Sequence, residues 1–167
     1  ANLLESGQFL FRNDVFFMLL AGEPRRAHRF LDRLVELHLG NLDKYLSAVG
    51  DQIDILLFGD DLGMQTGPQI SPRMYREFIQ PRQALMWARA KELSAAKIML
   101  HSCGGLYPLI PGLIEAGLGL LPPVPTHPTH MEPERRHAAV GRDLFRGGGG
   151  GSTPDGLPLL PVQHLRR

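Results

Sequence analysis

Cysteine is nearly missing from this chain: Cys103 is the only one. No internal disulfide can form, so packing, metal binding or reactivity must account for that residue. An excess of one charge is missing too. The 18 basic and 17 acidic residues leave a formal net charge of +1, and because they are mixed along the chain no basic stripe offers a track for nucleic-acid phosphates. No run of roughly eighteen apolar residues occurs and no charged-then-apolar signal follows Ala1, so neither a membrane span nor secretion is indicated and the cytoplasm is the default location. A phosphate-binding glycine-x-glycine turn is absent from the early part of the sequence, and hairpin signals are absent between the apolar segments. What remains, 167 residues of which 43% are hydrophobic, is enough for one soluble core.

The stretch Ile53 to Gly67 organises the rest. Its stretch Ile53 to Phe58, apolar except for Asp54, predicts a strand buried on both faces, ending at Gly59 and followed by two adjacent carboxylates, Asp60 and Asp61. Strands of parallel sheets read this way because helices cover both sides, and acidic groups at their carboxyl ends sit where such folds place their chemistry. Upstream, Ala1 to Phe11 enters mid-pattern with no initiator methionine, as though an element preceded it. Asp14 is the expected N-cap of a short helix through Leu20, closed by Gly22. Pro24 opens the longest helix, to Val49, with Ala27, Phe30, Leu31, Leu34, Leu42, Tyr45, Leu46 and Val49 on its apolar stripe and Gly50 as its cap. On its other side Arg25, Arg26, Asp32, Arg33, Glu36 and Lys44 read as a solvated face.

Downstream, Ser71-Pro72 starts a helix that Pro81 restarts or kinks. Leu85, Met86, Ala88, Ala90 and Leu93 form its apolar set, and Lys97 to His101 is the next strand. Leu106 to Ala116 is a helix closed by Gly117, and Leu118 to Leu121 is a third strand. A short helix over 134–140 and a weak strand near Leu144-Phe145 complete the pattern. Alternation of strands and helices argues for an α/β fold with a parallel sheet. Polar residues at several strand ends, namely Asp60, Asp61, His101, Cys103 and Thr126, favour a (β/α)8 TIM barrel over a doubly wound sheet, here a partial barrel of about four βα units.

Two stretches, GDDLGMQTGPQISPRMYREFIQPR over 59–82 and KIMLHSCGGLYPLIPGLIEAGLGLLPPV over 97–124, together resemble the uroporphyrinogen decarboxylase superfamily, and within it the branch similar to methylcobamide:thiol methyltransferases. The resemblance implies a TIM barrel of which residues 1–145 are the C-terminal half. It also implies methyl transfer to a zinc-activated thiol, with a corrinoid carried by a partner protein as a candidate donor. The His101-x-Cys103 spacing matches that branch's zinc motif, in which a more distant cysteine is the third ligand; this chain has no second cysteine to fill that place. In the decarboxylases the turn after the central strand reads aspartate-serine-tryptophan. Asp60 keeps the first position, while Asp61 and Leu62 replace the other two, which counts against a porphyrinogen substrate.

Physically, a histidine nitrogen and a cysteine sulfur at one strand end suit zinc, and Asp60 and Asp61 are the candidate catalytic groups, since adjacent carboxylates shift one another's pKa or hold a cation. The plainer alternatives are a buried cysteine with a satisfied histidine, and carboxylates that cap backbone N–H groups. Tyr75 and Arg76 read as packing and surface residues, His127 and His130 as members of a proline-rich loop, and Arg135 and Arg136 as an exposed charge pair. The tail, residues 146–167, reads RGGGGGSTPDGLPLLPVQHLRR and is expected to be disordered, either a flexible linker or the product of a frameshift near Arg146 to Gly151. Uroporphyrinogen decarboxylation in porphyrin synthesis is the alternative activity. A non-catalytic half barrel that self-associates through its exposed sheet edges is the reading from a different class.

Overall fold

Two prolines and a buried tryptophan set the helical layer. In the computed structural model, which describes residues 2–121 and 145–146, helix α3 runs Pro24–Val49 with proline at its start and Gly50 as its cap, the bounds that the sequence predicts. Ala27, Leu31, Val35 and Leu46 are its buried residues, whereas Tyr45, placed on the stripe by periodicity, is 51% exposed. Helix α1 spans Leu4–Phe11 and α2 spans Asn13–Gly22. They part at Arg12, whose φ of 71° is the one positive value outside glycine among the described residues. Arg12, not Asp14, therefore holds the N-cap position, and the Asp14 carboxylate pairs with the Arg12 guanidinium at 3.2 Å. Gly7 of α1 lies under the ring of Phe16, where any side chain would collide.

Strand β1 covers Ile55–Gly59, starting two residues later than the apolar run. The small strands β2, Gly63–Met64, and β3, Gly67–Pro68, then form an antiparallel hairpin around Gln65-Thr66. That hairpin carries no asparagine or glycine at its turn, so the sequence gives none of the usual signs of it. Ser71 caps α4, Pro72–Met74, by accepting from the Met74 N–H at 3.2 Å. A π turn over Tyr75–Ile79 follows, with the Gln80 N–H reaching back to the Tyr75 carbonyl, before α5 runs Gln80–Leu93. Pro81 has no N–H to continue the α pattern, and the wider turn absorbs that loss. An extra residue in the turn also advances the helix by about 100°, since 3.6 residues make a full turn. The buried side of α5 is Arg82, Gln83, Met86, Trp87 and Ala90, while Leu85 and Ala88, expected inside, are exposed.

Strand β4 is Lys97–His101, as the sequence predicts, and pairs in parallel with β1 from Ile55↔Lys97 to Gly59↔His101. A 3-10 turn, Tyr107–Leu109, leads into α6, Ile110–Glu115. Strands β5, Leu120–Leu121, and β6, Phe145–Arg146, extend a four-stranded sheet in the order β1-β4-β5-β6, parallel throughout. Leu56, Phe58, Ile98 and Leu100 are buried, and Phe58 meets Trp87 of α5 edge-on with ring centres 6.2 Å apart. The other face is open among the described residues: Ile55 is 44% and Leu57 57% exposed. Burial of this strand on both faces, predicted from its largely apolar run, is not seen among the described residues, where helices cover only the side that carries Leu56 and Phe58. Among the described residues no helix is long and apolar enough to cross a membrane. Thr126, the short helix over 134–140 and the tail from 147 onward lie outside the described residues.

Candidate metal centre

Parallel pairing places the carboxyl ends of β1 and β4 side by side, with Gly59 opposite His101. The Asp60 N–H donates to the His101 carbonyl at 3.0 Å, so the ladder continues one residue beyond the strand. From there Asp60 and Asp61 turn to different neighbours. The Asp60 side chain is buried and accepts from the backbone N–H groups of Leu3 and Leu4 on Oδ2, at 3.0 and 3.1 Å, and of Glu5 on Oδ1, at 3.1 Å. A carboxylate supplied from 55 to 57 positions away thereby caps the first turn of α1. Burial pushes the Asp60 carboxyl up to about 6, outweighing the opposing pull of the three amides.

Asp61 instead faces the loop after β4. Its Oδ1 accepts from the Cys103 N–H at 2.8 Å, and the next residue, Leu62, donates its N–H to Ser102 Oγ at 2.9 Å. Gly63 and Gly104 let the two backbones meet: a Cβ on Gly63 would lie 2.5 Å from the Cys103 carbonyl oxygen, and one on Gly104, whose φ is +74°, 2.5 Å from the Met64 nitrogen. The loops after β1 and β4 are thus fastened together, and three side chains converge at their junction. His101 Nε2 lies 3.7 Å from Cys103 Sγ. One ligand atom each from Asp61, His101 and Cys103 lies within 4.8 Å of the others, with Asp61 half-buried and the other two exposed.

This set of carboxylate oxygen, imidazole nitrogen and thiolate sulfur fits zinc, which takes all three ligand types and in catalytic sites keeps a further position open. The chain has no second cysteine, and the further donor atom that lies within 4.8 Å of those of His101 and Cys103 is a carboxylate oxygen of Asp61. Partial desolvation and the Asp61 carboxylate both push the Cys103 thiol up, although the residue as a whole is exposed. Without a cation the sulfur stays protonated at neutral pH; a divalent ion in the group would displace that proton.

The remaining sequence candidates lie elsewhere. Tyr75 is buried, donates to Gln83 Oε1 at 2.7 Å and sits against Gly112, while Arg76 is exposed. His127, His130, Arg135 and Arg136 fall outside the described residues. A cleft lined by Gly50, Asp51, Asp54, Ser94 and Lys97 opens at the opposite end of the strands and shares no residue with the metal group. Sequence reasoning overlooks Ser102 and Gln69. The place of Ser102 between His101 and Cys103 is a signal in the sequence, but Gln69 acts through bonds that no local spacing announces: its Nε2 donates to the Asp61 carbonyl at 2.6 Å, and its N–H to the Leu62 carbonyl at 2.7 Å. Compared with known families, residues 12–121 match the model of uroporphyrinogen decarboxylase (URO-D). No curated protein and no solved structure matches the chain.

Proposed function

Because the chain belongs to the uroporphyrinogen decarboxylase (URO-D) family, we propose that its four parallel strands are part of a (β/α)8 barrel, and that Asp61, His101 and Cys103 hold a zinc ion serving methyl transfer to a thiol. The convergence of these three side chains at the carboxyl ends of β1 and β4 carries the proposal. Barrel enzymes collect their reactive groups at that end of the sheet. The bound ion supplies Lewis acidity at its open position, which lowers the pKa of a substrate thiol to bring its thiolate within neutral pH.

The protein's own part is to hold geometry and charge. Cys103 contributes one negative charge once its proton has gone, and Asp61 a second, with Oδ1 fixed by the Cys103 amide. Oδ2 is left for the cation. His101 adds a neutral nitrogen, and Asp60 anchors α1 beside the loop. Methyl transfer is favoured over decarboxylation by the His-x-Cys pair and by the loss of the aspartate-serine-tryptophan turn, in which Leu62 is wholly buried rather than offered to a ligand. A corrinoid presented by a partner protein is the donor that the family resemblance supports.

Metal analysis tests the reading. The purified chain dialysed against zinc should retain about one ion per chain, and His101→Ala and Cys103→Ala should abolish retention. Asp61→Ala should weaken binding by at least about tenfold. Thiol methylation from a methylcobamide should follow the same order. A chain that takes up no zinc, or a Cys103→Ala variant that keeps full activity, would sink it.

A further inference from the structure

We propose that Gln69, oriented by Gln8 of α1, is the positioning residue that makes Asp61 a metal ligand; the inference rests on the zinc reading of the same site. A short aspartate in a loop has rotational freedom that an imidazole at a strand end lacks, so something must fix its backbone if it is to complete a ligand set. Gln69 does so by holding two successive carbonyls, those of Asp61 and Leu62. Its side-chain amide holds the Asp61 carbonyl at 2.6 Å and its backbone N–H holds the Leu62 carbonyl at 2.7 Å. Ser102 Oγ takes the Leu62 N–H.

The orientation of the Gln69 amide follows from chemistry. A carbonyl oxygen only accepts, so Gln69 must turn Nε2 toward Asp61, which leaves Oε1 facing the other way. There it accepts from Gln8 Nε2 at 2.7 Å. Gln8 lies on the helix whose first turn Asp60 caps, so α1 is tied to the ligand loop twice, through the Asp60 carboxylate and through the Gln8–Gln69–Asp61 relay. All three side chains of the relay are half-buried, where such bonds hold better than in open water. Gln69 touches none of the metal-ligating atoms; it acts through Asp61.

Gln69→Leu removes the side-chain donor at similar size and keeps the backbone bond. Zinc affinity should fall about ten- to a hundredfold, the range typical of groups that orient a ligand, with little change in the thermal midpoint. Gln8→Leu should produce a smaller loss in the same direction. The decisive measurement is a double-mutant cycle: in an Asp61→Asn background, Gln69→Leu should have no further effect on zinc affinity. Full additivity of the two losses, or unchanged affinity in Gln69→Leu, would overturn the proposal. A metal-free measurement keeps it separate from the zinc reading. If Gln69 holds Asp61, hydrogen exchange at the Cys103 amide should quicken about tenfold in the apo Gln69→Leu chain, by loss of the Asp61 acceptor. An unchanged exchange rate would refute the positioning role even in a protein that binds zinc. Quickened exchange in a protein that binds none would support it while the zinc reading fell.

Discussion

Asp60 and Asp61 are neighbours in the chain, yet one anchors a helix and the other faces the metal group. Asp60→Ala would strip the acceptor from three backbone N–H groups at the start of α1. Unsatisfied buried donors cost roughly 1 to 3 kcal/mol, so urea denaturation should show a loss of that order, and Asp60→Asn, which keeps an acceptor oxygen, a smaller one. His38 sets a pH dependence of its own. Burial holds its imidazole below the ordinary 6.5, so the fold favours the neutral ring, whose Nε2 lies 3.3 Å from the Asn2 carbonyl. As pH falls through the unfolded value, the unfolded chain takes up the proton first. The stabilisation is therefore complete above about 6.5 and is lost as pH drops toward the folded value. Melting followed from pH 7.5 to 5 should show a steeper decline for the parent chain than for His38→Gln; parallel curves would contradict the assignment.

At the scale of elements, the joint between α3 and α5 is polar at its centre. Arg82, nearly buried, donates to the Phe78 carbonyl at 2.7 Å and the His28 carbonyl at 3.2 Å, and pairs with the Asp32 carboxylate. Asp32→Ala should cost about 1 kcal/mol, since the Asp32 side chain is 62% exposed and solvent screens the pair. Replacing both partners at once, Asp32→Leu with Arg82→Met, should recover much of that loss, since an apolar pair leaves no stranded charge. A calorimetric comparison of the single and double variants decides it. Asp32 does stand on the solvated face that helical phase gives it, its side chain 62% exposed, but that phase cannot show the guanidinium that arrives from 50 residues away. The same limit explains other differences. Proline, glycine and hydroxyl signals act within a turn, so the bounds of α3, the Ser71 cap and the restart at Pro81 were legible. The face that α5 buries includes Arg82 and Gln83, held inside by bonds to Phe78, His28 and Tyr75 that no periodicity encodes. The His101-x-Cys103 spacing could be read directly, whereas the approach of Asp61 to that pair depends on a contact across 42 residues.

At the largest scale, the side of the sheet that the described residues leave open matters most. Ile55 and Leu57 stand exposed there, on a parallel sheet whose unpaired edges are β1 and β6 among the described residues. Each such side chain forfeits roughly 1.5 to 3 kcal/mol by staying in water, and a free strand edge is a template for pairing. Sizing chromatography should therefore show association that grows with concentration, and Leu57→Lys should suppress it without lowering zinc uptake. A monodisperse monomer at every concentration would rule this out. The packing beneath the opposite face has a different use. Trp87 is the only tryptophan, it is wholly buried, and its ring stands edge-on to Phe58. An indole in such dry surroundings emits at short wavelength, and water reaching it moves the emission to the red. All the tryptophan fluorescence of the chain thus originates at the seam between β1 and α5, and its colour reports, without any label, whether that seam is shut.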